Sequence, residues 1–130
     1  METKFNSQIC TTREQSERLL ALGLKKETAD IEICCLTGEI RHLESEDYQD
    51  TSITIPEWSL HRLIEMTSDF CDVDGEEGVW CCESRVILGY RSVMTEEWLI
   101  MWNKPSLYDN IIDCIEWLIK GGYFNKEYLV

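Results

Sequence analysis

The sequence predicts an α+β fold, a small antiparallel sheet with about three main helices packed on it. Three observations carry this. Leu107, Ile111, Cys114, Ile115 and Leu118 form an apolar stripe at helical spacing. Ile31 to Leu36 is a short β-branched run, and Val79 to Tyr90 alternates in an interrupted period of two. The resulting order is helix, strands, helix, strands, helix.

Taken in order, the first ten residues carry no clear pattern and are expected to be loosely ordered. A helix then starts at Thr11 or Thr12, because Thr11 with Glu14, or Thr12 with Gln15, has capping-box spacing. It carries Leu19, Leu20 and Leu22 and stops at Gly23, a residue suited to a left-handed cap. Lys25 to Asp30 allows one further helical turn. Ile31 to Leu36 predicts a strand, Thr37-Gly38 a tight turn, and Glu39 to Leu43 the returning strand. Glu44 to Asp50 is acidic and reads as a loop. Pro56 is expected to open the next helix, since proline is tolerated in a first turn; Leu60, Leu63, Ile64 and Thr67 follow at helical spacing. Ser68 to Gly78 is polar and glycine-bearing and reads as a loop. Val79 to Tyr90 and Glu97 to Trp102 are expected to pair antiparallel, with a turn near Ser92 to Glu96, although so short a run as the second also fits a helix. The last helix runs from about Ser106 to Lys120 and ends at Gly121-Gly122, leaving Tyr123 to Val130 as an apolar tail that docks on the body.

Size and charge narrow the function classes. A chain of 130 residues fits one domain of the common range of about 100–150 residues. Twelve Lys and Arg stand against 25 Asp and Glu, a net charge of −13, and the acid is spread along the chain. Such a surface repels nucleic acid and anionic lipid, so direct nucleic-acid binding and membrane association are not expected. The acid serves solubility, or it imitates a phosphate array for a cation-lined groove. No apolar run approaches the ~20 residues that span a bilayer, and no leader pattern is visible, so a cytoplasmic protein with reduced thiols is expected.

The chemistry-bearing residues assemble no complete motif. The seven cysteines are Cys10, Cys34, Cys35, Cys71, Cys81, Cys82 and Cys114. Zinc sites place pairs of ligands about two to four residues apart, whereas Cys34-Cys35 and Cys81-Cys82 are adjacent and point to opposite strand faces. Small buried hydrophobes describe these thiols better. His61 and Glu65 share a helical face but lack a third partner; His42 sits beside Arg41 on the expected strand. Asp72 to Glu77 is similar to part of a calcium loop, yet aligning Gly75 at its sixth position puts Phe70 first and Cys81 last, which fails. No glycine-rich phosphate cradle occurs. No catalytic, cofactor-binding or metal-ligating residue is therefore assigned, and no cofactor is expected. The five tryptophans are Trp58, Trp80, Trp98, Trp102 and Trp117. They divide between core and interface roles, and Trp58, Trp80, Trp98 and Glu65 are the places to probe for a binding surface.

Gln15-Ser16 with Leu19-Leu20, Gly23-Leu24 and Glu27-Thr28-Ala29-Asp30, then Pro56 and Trp58-Ser59-Leu60 with Leu63, then Asp109, Asp113, Ile115, Trp117-Leu118 and Gly122-Tyr123 together give the chain a likeness. It resembles small proteins of gut-bacterial genomes and their prophages. The resemblance implies an accessory gene of mobile-element type and assigns no chemistry. The functional expectation is a non-enzymatic accessory or adaptor protein that binds another protein. A nucleic-acid-mimicking decoy and a cysteine- or metal-dependent enzyme are the alternatives.

Overall fold

The computed structural model describes residues 8–34, 36, 38–42 and 54–130. The expected strand at Ile31 to Leu36, the turn at Thr37 and the return to Leu43 therefore lie partly outside the described residues, and the loop at Glu44 to Asp50 lies wholly outside them. The α+β class holds, but the strands divide between two antiparallel sheets.

Helix α1 spans Arg13–Ala21. Of the two possible caps, Thr12 is the one used: its hydroxyl accepts from the Gln15 amide at 3.2 Å, and the Gln15 side chain accepts from the Thr12 amide at 2.9 Å. Gly23 follows at φ +101°, the left-handed conformation anticipated for it. A 3-10 turn at Lys26–Thr28 leads into β1 (Ile31–Cys34), which is the central strand between β2 (Ile40–His42) and β3 (Thr54–Glu57).

Pro56 does not open a helix; it lies inside β3, opposite Glu32. The strand tolerates it because β3 is an edge, where a missing N–H breaks no ladder on the open side. The helix begins later. Ser59 caps α2 (Leu60–Met66), accepting from the Arg62 amide at 3.1 Å, and Asp30 in turn accepts from the Ser59 amide at 2.8 Å.

The second correction concerns Ser68 to Gly78. The acidic stretch holds β4 (Phe70–Val73) and the start of β5 (Glu76–Glu83), joined by a tight hairpin. Asp74 and Gly75 both take positive φ, 51° and 88°, which suits the right-handed twist of the two strands. The Gly75 amide donates to Asp72 Oδ1 at 2.8 Å. The expected single strand at Val79 to Tyr90 is likewise a hairpin, of β5 with β6 (Ile87–Ser92), and β7 (Trp98–Trp102) completes a meander in the order β4-β5-β6-β7.

Helix α3 (Leu107–Lys120) covers one face of this meander. Its Ile111, Ile112, Ile115 and Leu118 are wholly buried with Leu88 and Tyr90 of β6, Leu19 of α1 and Leu63 of α2. Trp117 is half-buried and touches the Tyr90, Trp102 and Tyr123 rings at centroid distances of 5.9, 5.8 and 5.5 Å. Asn110 is buried and satisfied on every side: it donates to the Val86 and Lys104 carbonyls at 2.6 and 2.9 Å and accepts from the Lys104 amide at 2.8 Å. The tail docks as expected, with Leu129 bridged to Leu24 and the Val130 amide donating to the Gly23 carbonyl at 2.8 Å.

Two polar seams hold α1 in place. On one side Arg18 pairs with Asp113 and Glu116 of α3 at 2.6 and 2.7 Å, and Lys104 pairs with Asp113 at 2.7 Å. Burial alone would raise the Asp113 pKa, but hydrogen bonds from Lys104 and Arg18 overcome it and hold the carboxyl below its usual range. On the other side Thr11, Ser16 and Glu57 form a closed triangle of oxygens with almost no exposure. Thr11 Oγ1 also accepts from the Trp58 amide at 3.0 Å. Both hydroxyls donate to Glu57 Oε2, and this shared acceptor brings their own oxygens to 2.7 Å. Burial raises the Glu57 pKa and outweighs the two hydrogen bonds, which pull it down.

Candidate protein-binding face

The four-stranded sheet has two unlike faces. Along β4 the residues alternate exposed and buried: Phe70 and Asp72 point out, Cys71 and Val73 point in. The same alternation puts Leu88, Tyr90 and Ser92 of β6 toward α3 and leaves Ile87, Gly89 and Arg91 on the other side. A register shift between Tyr90 and Arg91 lets Trp98 and Met101 of β7 share that outer side while Trp102 faces Trp117.

The strand register arranges the outer residues in rows. Phe70, Val79, Arg91 and Trp98 are successive partners across all four strands. The next row is Cys81, Gly89 and Met101. Beyond one end lies the pair Asp72 and Glu77, and beyond the other the pair Glu83 and Ile87. Apart from Arg91 the middle of the face is thus apolar, with carboxylates at both ends. Phe70 is 60% exposed and both Met101 and Val93 are 46% exposed, so these large side chains stand outside the core. A shallow depression of about 430 Å3 lies among Phe70, Val79, Cys81, Arg91, Val93 and Glu96.

Two details shape this surface. Gly89 leaves bare backbone between Cys81 and Met101, because a Cβ there would stand 2.1 Å from the Ile100 carbonyl oxygen and 2.7 Å from Met101 Cα. Arg91 is fixed in place: its guanidinium carbon lies 4.4 Å over the Trp98 ring and its Nη2 pairs with Glu83. A side chain ordered before binding loses little freedom on binding. Arg, Trp, Phe and Met are also the types enriched in protein interfaces.

The residues singled out from sequence fall differently. Trp58 is no surface anchor: it is wholly buried, and its indole N–H donates to Thr28 Oγ1 at 3.0 Å. Trp80 is half-buried and packs against the core. Trp98 alone among the three lies on the outer face. Glu65 is exposed and pairs with His61 at 2.7 Å on α2, away from any described third partner. Phe70, Arg91, Val93 and Met101 were not anticipated. Their signal was present in the alternation Phe70-Cys71-Asp72-Val73 followed by the hairpin dipeptide Asp74-Gly75.

The thiols are poorly suited to nucleophilic work. Cys10, Cys71 and Cys114 are buried and Cys82 is exposed, and none of the four forms a disulfide. Burial raises the pKa of Cys10, Cys71 and Cys114, with nearby acids adding to the effect, so the reactive thiolate is disfavoured. Among the described residues no group of three or more His, Cys, Asp or Glu could hold a metal ion, and no helix is long and apolar enough to cross a membrane.

Comparison with protein-family models, with curated proteins and with solved structures finds no match for this chain.

Proposed function

We propose that this chain is a non-enzymatic accessory or adaptor protein that acts by binding another protein, and that it binds through the outer face of the four-stranded sheet. One observation carries the reading: Phe70, Val93, Trp98 and Met101 place contiguous apolar surface on a sheet face that no described element covers. Exposed apolar patches of this kind mark interaction sites when polar residues rim them. The raised pKa values of the buried thiols count against their use as nucleophiles.

The test is a pull-down with tagged protein from nuclease-treated native lysate, with wild type beside a Phe70→Asp/Met101→Asp variant, and with and without duplex DNA. A partner captured by the wild type, lost in the variant and retained against DNA supports the proposal. A partner displaced by DNA and indifferent to the variant replaces it with the decoy reading. No partner that depends on the face removes the assignment.

A further inference from the structure

This inference rests on the binding reading above and specifies its partner. We propose that the outer face of the four-stranded sheet receives a basic amphipathic helix of another protein, with apolar residues over the central rows and cations at the Asp72–Glu77 end.

The charges on the face select the occupant. Asp72, Glu77 and Glu83 project from the strands, and Glu96 lines the depression. Arg91, the cation in the central row, is already engaged by Glu83 and Trp98. Among the described residues Asp72, Glu77 and Glu96 make no ion pair. A partner that brings cations satisfies them; a partner that brings anions adds like charges at close range. A second copy of this chain is such an anion. Each copy carries −13, and two-fold pairing of the same face sets carboxylates against carboxylates. Nucleic acid is excluded on the same ground.

The dimensions select the shape. Four strands make a row about 14 Å wide at the usual spacing, enough to seat one helix. Glu77 and Glu83 lie on one strand, six residues apart, so the face is about 20 Å long between them. A helix covers 20 Å in about 13 residues. The ligand therefore carries an apolar stripe at helical spacing over about 13 residues, with Lys or Arg gathered at the end that meets Asp72, Glu77 and Glu96.

Labelled synthetic peptides of about 18 residues test this directly. One is an amphipathic Leu/Lys helix of that pattern, the second replaces Lys by Glu, and the third scrambles the Leu/Lys order. Anisotropy gives the affinity, and methyl NMR of Val79, Ile87, Val93 and Met101 gives the location. The Leu/Lys helix is expected to shift those methyls. Its affinity should fall at least about tenfold in Phe70→Ser/Met101→Ser, the loss of interface anchors. Affinity should also fall in Glu77→Gln/Glu96→Gln and with added salt, while Glu27→Gln/Glu127→Gln, which removes the same charge elsewhere, leaves it nearly unchanged. Equal binding of the Glu or scrambled peptide, shifts confined to another surface, or an equal effect of the remote variant overturns the inference. A lysate partner that depends on the face yet offers no basic helix overturns it too, while leaving the adaptor reading intact.

Discussion

Replacing Glu57 by Gln should change how stability depends on pH. Glu57 sits at 1% exposure in the triangle with Thr11 and Ser16, next to Cys10 and with Asp30 nearby. Its pKa is raised above the ordinary 4.5 by burial, against the opposing pull of the Ser16 and Thr11 hydrogen bonds. Between the unfolded and folded values, the folded state holds a proton that the unfolded state has released. The stability linked to this raised pKa is therefore complete below the unfolded value and is lost as pH rises through the folded one. Each unit of elevation is worth about 1.4 kcal/mol. Gln cannot titrate. It also brings an amide with an additional N–H to place, at a cost of about 1–3 kcal/mol where that group is left unmade. The variant should be the less stable protein near pH 4.5, and its deficit should shrink as pH rises toward 8. The assay is urea denaturation of both proteins at matched pH values. Only the difference between them is diagnostic, because Asp113 and Glu116, with pKa values lowered by their cation partners, give both proteins an opposite trend. A deficit that grows with pH would mean that folding lowers the Glu57 pKa and would refute the argument from burial.

Asn110→Ala should destabilise by about 2–3 kcal/mol, because it strands the Val86 carbonyl and both Lys104 backbone groups; thermal denaturation checks this. Gly89→Ala should cost about 1–3 kcal/mol or more, since the clash is with β7 backbone, and NMR should show β6–β7 contacts weakened first. Phe70→Ser/Met101→Ser should stay within about 0.5 kcal/mol of wild type in the same denaturation assay, as both side chains project from the fold. Thiol labelling of the native protein should modify Cys82 well before Cys10, Cys71 or Cys114, read by peptide mass mapping; rapid labelling of Cys114 would contradict its burial.

Local rules were enough where one residue's own chemistry decides the outcome. The Thr12–Gln15 box, the Gly23 and Gly121-Gly122 stops and the α3 stripe were all legible, because capping and a wide apolar stripe need no distant partner. Pro56 misled because proline suits both a helix start and an edge strand, and only the pairing with Glu32 decides between them. Asp72 to Glu77 misled for a related reason. Those carboxylates belong to strand faces that meet solvent, so they look like loop composition although the turn is only Asp74-Gly75. The candidate face was the least legible. Phe70, Arg91 and Trp98 are far apart in sequence and become one row only through the register of β4 to β7. Glu57 could not be foreseen as buried, since glutamate seldom is without partners, and Thr11 and Ser16 are supplied from another element.

The strand order also has a kinetic side. In the meander every strand pairs with its neighbour in sequence, so its loops close over short separations. The α1 seams are the reverse: Thr11 meets Glu57 46 residues away, and Arg18 meets Asp113 across 95. Low contact order favours early formation, so the meander and α3 should assemble first and receive the N-terminal helix afterwards. The last part to close is then the first to open, and amides of α1 should exchange with solvent sooner than those of β5 and β6.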